Sequence, residues 1–247
     1  MKRNDLTIFE NGRSIPVTEF ISSDGPVTVA LHGFGGDRNS SVIRRLAEKS
    51  GNVVCFDLPC HGDSTAPDGL LTVENCLLDL EAVISYVREK YEGREIRFFA
   101  TSFGGYLLLL SLHLIKEGER IVLRAPAVNM AETFLSVIAE MTEDELYEKG
   151  SVVCGFERRI DVSAEFYTSL KRFDSFASCD RPLLVIHGGR DGVVTVSDID
   201  RYMESHPSAV LYRMADADHR FKGNGQVDEL IDAAMNWFAC ENIVKKH

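Results

Sequence analysis

The sequence predicts an α/β fold, a mostly parallel sheet of about eight strands with helices on both faces. Three observations carry that prediction. Short apolar runs alternate with stretches of helical periodicity from residue 27 onward. Two strand-like runs flank Asn11-Gly12, a strong hairpin turn signal, so an antiparallel hairpin leads into the sheet. One buried strand, Ile96 to Ala100, runs straight into an apolar helix around Ser102.

Taken in order, the hairpin strands are Leu6 to Glu10 and Ile15 to Phe20. Val27 to Leu31 is a buried strand, Ser40 to Lys49 a helix, and Val53 to Leu58 a strand broken by Pro59. Val73 to Tyr91 places Leu77, Leu80, Val83, Ile84 and Val87 at helical spacing. Ile96 to Ala100 and Phe103 to Ile115 repeat the strand–helix unit, and Ile121 to Leu123 is a strand ending at Pro126. Leu183 to Ile186 and Ala209 to Met214 are the last strands, followed respectively by helices Val196 to Glu204 and Val227 to Phe238. Between Ala127 and Phe176 no buried strand is evident and charges are frequent. That stretch is too long for a plain connection, so residues 127–176 are expected to form a small helical cap inserted into a core of 1–126 and 177–247.

Composition narrows the function. With 247 residues the chain can bury a substantial core. A net charge of −11, with no basic block beyond Lys245-Lys246, argues against nucleic acid or an anionic membrane as partner. No apolar run is long enough to span a bilayer, and Met1-Lys2-Arg3-Asn4-Asp5 lacks the apolar stretch of a signal peptide. Six scattered cysteines (Cys55, Cys60, Cys76, Cys154, Cys179, Cys240) without a CxxC pair read as free thiols in a cytoplasmic protein. No metal or other cofactor is expected. A homodimer is compatible with the sequence, which does not determine oligomeric state.

The segment Ala100-Thr101-Ser102-Phe103-Gly104-Gly105 holds the strongest chemical signal. A serine between strand and helix sits on a sharp, strained turn with its hydroxyl above the sheet's carboxyl edge. The flanking positions must be small because the two backbones nearly touch, and here they are Ala100 and Gly104. A serine hydroxyl needs a base, an acid that orients the base, and donors for the oxyanion. Of seven histidines, His219 in Ala215-Asp216-Ala217-Asp218-His219 follows the last strand and comes after Ser102 and any acid, the order this architecture uses. His32 and His187 precede glycines at strand ends and read as loop braces; His61 is in a tight loop, His113 in the buried helix, His206 in a turn and His247 at the terminus. Asp191, after the strand Leu183 to Ile186, is the expected acid, ahead of Asp174, Asp180, Asp216 and Asp218. Its alternative reading is a turn-capping aspartate before Gly192. The glycines of His32-Gly33-Phe34-Gly35-Gly36 free the backbone N–H of Phe34 to meet a substrate oxygen, joined by the N–H of Phe103. That loop has neither the GxGxxG spacing nor the GK[ST] ending of a nucleotide site.

The chain resembles the α/β-hydrolase superfamily over nearly its full length. The matching pieces are His32 to Gly36, Asp57-Leu58-Pro59-Cys60-His61-Gly62-Asp63-Ser64, the turn at Ser102, His187-Gly188-Gly189-Arg190-Asp191 and Asp218-His219. Within the superfamily it looks most like the monoacylglycerol lipase and serine-aminopeptidase-like group. Small bacterial cinnamoyl (feruloyl) esterases are similar in size and cap position, although Ala100-Thr101 stands where they usually carry Gly-His. The resemblance implies a serine hydrolase of carboxylic esters. Lipase, thioesterase, peptidase and perhydrolase activities use the same parts, and a non-catalytic small-molecule receptor is the alternative from another class. The small cap leads us to expect short acyl or aryl-propenoyl esters rather than long-chain lipids. Phe134, Leu135, Val137, Ile138, Phe156 and Phe34 would either wall the pocket or pack the cap onto the sheet. Arg158, Arg159 and Arg172 would lie around them.

Overall fold

The computed structural model describes residues 1–10, 12–155, 158–176 and 181–240. The chain opens on the antiparallel hairpin β1 (Lys2–Glu10) and β2 (Arg13–Ile21), each strand longer than its apolar run. Gly12 takes φ +77°, the left-handed conformation that a tight hairpin turn needs, whereas Asn11 lies outside the described residues. There follow β3 (Val27–Leu31), α1 (Ser41–Ser50), β4 (Asn52–Phe56), α2 (Val73–Lys90), β5 (Ile96–Thr101), α3 (Phe103–Leu110) and β6 (Arg120–Arg124). After the segment that succeeds β6, β9 (Leu183–Gly188), α7 (Val196–Ser205), β10 (Ala209–Met214) and α8 (Gln226–Ala239) complete the chain.

These strands form an eight-stranded sheet in the order β1-β2-β4-β3-β5-β6-β9-β10, parallel except for the pairings of β2 with β1 and β4. The pleat sends alternate side chains to two separate cores. Val29 and Leu31 face one way and Ala30 the other; Phe98 and Ala100 oppose Phe99; Leu123 opposes Val122. Helices α1 and α8 cover the face bearing Ala30, Phe99 and Val122, through Ile43, Leu46, Leu230 and Phe238. Helices α2, α3 and α7 cover the opposite face. Helices on both sides explain why the central strands read as continuous apolar runs.

Two expectations are corrected. The helix predicted to reach Ile115 ends at Leu110, where Ser111 donates its N–H to Leu108 three residues back and the chain tightens into a 3₁₀ turn over Leu112–Leu114. His113 lies on that turn and is exposed, not inside a buried helix. The segment after β6 also holds more than helices. It runs through α4 (Met130–Thr133), a π-helical turn Phe134–Ala139 and α5 (Glu143–Lys149), then an antiparallel pair, β7 (Ser151–Cys154) and β8 (Ile160–Ser163), and α6 (Ala164–Leu170). Each of these strands is four residues long and buries about every second side chain, too little apolar length to register as a strand in the sequence.

The parallel register aligns the carboxyl ends of the central strands. Leu31 pairs with Ala100, Thr101 with Arg124, and Arg124 with Ile186. The residues immediately after these ends therefore meet along one edge, where ligands bind in open α/β sheets.

Candidate active site

One residue, Ser102, separates the last residue of β5 from the first of α3. Its φ of +50° and ψ of −113° are costly for any side chain and persist only where the surroundings enforce them. The enforcement is visible. The Ser102 N–H donates to the Arg124 carbonyl at 2.9 Å, and its own carbonyl accepts from Tyr106 and Ala127 at 3.0 and 3.1 Å. A methyl group on Gly104 would stand 2.5 Å from the His32 carbonyl oxygen, and one on Gly105 2.9 Å from Pro126 Cβ, so both positions need glycine. At the preceding small position, Ala100 is fully buried with its methyl packed in the core.

His219, on the loop after β10, places Nε2 3.1 Å from Ser102 Oγ and Nδ1 2.8 Å from Asp191 Oδ2. Asp191 sits on the loop after β9, where its other oxygen accepts the backbone N–H groups of Val193 and Val194 at 2.8 and 2.9 Å. The turn-capping role and the contact with histidine thus coexist in one carboxylate. Buried His187 adds Nε2 3.3 Å from Asp191 Oδ2 and 3.2 Å from the Val194 carbonyl. Burial by itself would raise the Asp191 pKa, but the hydrogen bonds from His187 and His219 outweigh it and hold the carboxyl well below the usual carboxylate range.

The other acids are engaged elsewhere. Asp174 accepts from the Phe176 N–H, Asp216 pairs with Arg190 at the surface, and Asp218 accepts from the backbone of Arg220 and Lys222. Asp180, His247, Cys179, Phe156 and Lys245-Lys246 lie outside the described residues.

The loop after β3 presses against the serine. A methyl on Gly33 would reach 3.2 Å from Ser102 Cβ, and the Gly36 N–H closes a tight turn onto the Gly33 carbonyl at 3.0 Å. Phe34 lies between these two glycines, at the border of the site. Phe103 opens α3, where the first N–H groups have no acceptor within the helix. His32 braces the loop, its Nδ1 donating to the Gly33 carbonyl and its Nε2 accepting the Leu58 N–H at 3.1 Å. His61, its ring tilted at 39° to that of His32 with centroids 5.2 Å apart, is buried, and burial pushes its pKa down to about 3.

Ser102 and His219 open onto a cavity of about 240 Å³. Of the residues expected to wall it, Phe34 and Ile138 are the only described ones that do so. The Phe34 ring also belongs to an aromatic cluster with Phe103, Phe134 and Phe166, with centroids 5.9–6.1 Å from its own. Phe134 is fully buried there, packing the segment after β6 onto the sheet. Arg158 and Arg159 donate to the carbonyls of Gly62 and Val153, and Arg172 pairs with Glu74 and Glu165. The cavity's cations come instead from Arg124, Arg220 and Lys222. Arg124 had one cue in the sequence: a charged residue closing the apolar run Ile121 to Leu123. Burial pulls its pKa down to about 10, opposed by Asp191, which leaves it charged at neutral pH. Among the described residues no cluster of His, Cys, Asp or Glu is arranged to hold a metal, and no helix is long and apolar enough to cross a membrane.

A hairpin-led, otherwise parallel eight-stranded sheet, with a serine on the turn after the central strand, defines the α/β-hydrolase class. Residues 25–146 match the family model described as serine aminopeptidase, S33, and the chain as a whole has the fold of the α/β hydrolases. No curated protein matches the sequence significantly. Among solved structures it is similar to Est1E from Butyrivibrio proteoclasticus with ferulic acid bound. That pair has 15% identity, 95% of this chain and 100% of the other covered, and a TM-score of 0.80. It is also similar to mouse α/β hydrolase domain-containing protein 10, with 16% identity, 95% and 98% coverage, and a TM-score of 0.77.

Proposed function

We propose that the protein is a serine hydrolase of small carboxylic esters. The observation that carries the reading is the unbroken chain Ser102 Oγ–His219–Asp191, spaced at 3.1 and 2.8 Å. His219 Nε2 takes the Ser102 proton as Oγ attacks the ester carbonyl. Asp191 keeps the Nδ1–H tautomer and stabilises the imidazolium that forms. The backbone N–H groups of Phe34 and Phe103 hold the oxyanion, each worth about 3 kcal/mol in the transition state. The imidazolium returns its proton to the departing alcohol, leaving an acyl-Ser102 ester. Water, deprotonated by His219, then releases the acid and restores the serine.

A cavity of about 240 Å³ is smaller than the ~300–1,000 Å³ typical of drug-sized ligand sites. This favours short acyl or compact aryl-propenoyl groups over a long lipid chain. That Est1E, of the same fold, is seen with ferulic acid bound supports including aryl-propenoyl esters. Residues 127–176 act in this reading as a cap. Five described cysteines, all free thiols and four of them buried, support the cytoplasm as its place of work.

Fluorophosphonate labelling followed by peptide mapping tests the mechanism, with modification expected on Ser102 and lost in His219→Ala. A panel of two- to four-carbon, feruloyl and sixteen-carbon esters tests the substrate range. A best kcat/KM on the sixteen-carbon ester would replace this reading with a lipase.

A further inference from the structure

The cavity at Ser102 has a charge that neither the mechanism nor an ordinary ester requires. The chain carries 38 acidic and 27 basic residues, yet among the described residues no Asp or Glu lines the cavity, while Arg124, Arg220 and Lys222 do. Arg124 is the distinctive member. It ends β6 on the α1/α8 face, 8% exposed, with its guanidinium 5.0 Å above the Phe221 ring. Among the described residues the only hydrogen bond of its side chain is from Nη2 to the His219 carbonyl at 3.3 Å, and its buried Nε has no partner. A guanidinium taken out of water with donors unfilled is expensive, and an anion in the cavity would satisfy it.

The surroundings agree. The start of α1 borders the cavity through Ser40, Ser41 and Val42, with no acidic residue in its first turn, so the positive end of that helix dipole lies at the same space. The carboxylates near Arg124 are already committed, Asp191 to the two histidines and Asp218 to backbone N–H groups. The cavity's small volume limits the anion to a small group, and the planar fork of Arg124 matches a carboxylate.

We propose that the substrate is a small ester bearing a free carboxylate, which Arg124 binds inside the catalytic cavity, with Arg220 and Lys222 adding positive field. The ester half of this statement rests on the reading above, but the carboxylate half does not require turnover. The test therefore reads binding in Ser102→Ala protein, by calorimetry, for two isosteric pairs. Monoethyl succinate is compared with ethyl levulinate, and 4-acetoxybenzoate with 4-acetoxyacetophenone.

In at least one pair the anionic member should bind about tenfold more tightly, the worth of one charge-assisted hydrogen bond. Adding Arg124→Gln should bring that pair's two Kd values within about threefold of each other, as expected once the charge-assisted bond is gone. Equal or weaker binding of both anions would overturn the proposal, as would a preference that survives Arg124→Gln. If that variant does not fold, 0.5 M NaCl substitutes. Screening should shrink the preference, and an unchanged ratio would count against a charge-based site. Turnover by the unmodified protein is read separately. If neither member of either pair is hydrolysed, the esterase reading suffers while the binding comparison stands.

Discussion

Replacing Asp191 with asparagine isolates one proton. The substitution keeps shape and volume, and the site allows only one orientation of the new amide. Asp191 Oδ1 accepts two backbone N–H groups, from Val193 and Val194 at 2.8 and 2.9 Å. The amide oxygen must stay there, because turning the NH₂ towards two donors would leave all of them unpaired in a buried position. The NH₂ then faces His219 Nδ1, 2.8 Å away in the native site. Nδ1 must accept, so the ring proton moves to Nε2, which lies 3.1 Å from Ser102 Oγ. A protonated Nε2 cannot take the serine proton. In a triad this tautomer error costs about 10⁴ in kcat, equivalent to about 5 kcal/mol of barrier. The assay is kcat on a short-chain ester, with a thermal melt alongside to show that the variant folds. A folded Asp191→Asn protein within tenfold of native kcat would refute the assignment. So would an equal loss from Asp174→Asn or Asp218→Asn.

Three further outcomes are expected. Ser102→Ala and His219→Ala should each lower esterase kcat by roughly three orders of magnitude or more in a folded protein, and near-native turnover by either would remove the mechanism. Ser102→Gly should be inactive but more stable than Ser102→Ala, since glycine adopts φ +50° without strain that costs other residues about 1–3 kcal/mol. At this chain length that corresponds to a Tm gain of at least about 2 °C, and an alanine variant melting at or above the glycine one would contradict the strain argument. His61, neutral when folded down to about pH 3, protonates near pH 6.5 once unfolded, so the unfolded state binds the extra proton. Stability should therefore be highest above pH 6.5 and fall as pH drops towards 3. The contribution is up to about 1.4 kcal/mol per pH unit, and His61→Gln should flatten the slope between pH 6.5 and 5. Equal slopes in urea unfolding of both proteins would assign the proton elsewhere.

The features legible in the sequence are those set by local backbone geometry. Ala100, Ser102 and Gly104 announce the turn because strand and helix backbones leave no room there, and that constraint acts within five residues. The central strands were readable for a related reason, since burial on both faces makes each a continuous apolar run. Position in the chain places Asp191 and His219 at one edge with Ser102, because parallel strands deliver whatever follows them to the same edge.

What the sequence could not determine depends on partners distant in the chain. Pairs β7–β8 are too short to carry a periodicity, and they exist because each supplies the other's hydrogen bonds. Phe134 fits a pocket wall or a packing anchor equally well until the rings of Phe34 and Phe166 are seen around it. The distinction is one of contact, which periodicity does not encode. Arg124 is the sharpest case. As a charged residue closing an apolar run it stands out in the sequence, but that cue does not say what it faces. Its register with Thr101, the Phe221 ring beside it and, among the described residues, the lack of an acidic residue lining the cavity make it a cation at the cavity of Ser102. Sequence determined which chemistry the edge could perform. Tertiary structure decided which charges surround it, because electrostatic fields depend on distances through space that chain order does not specify.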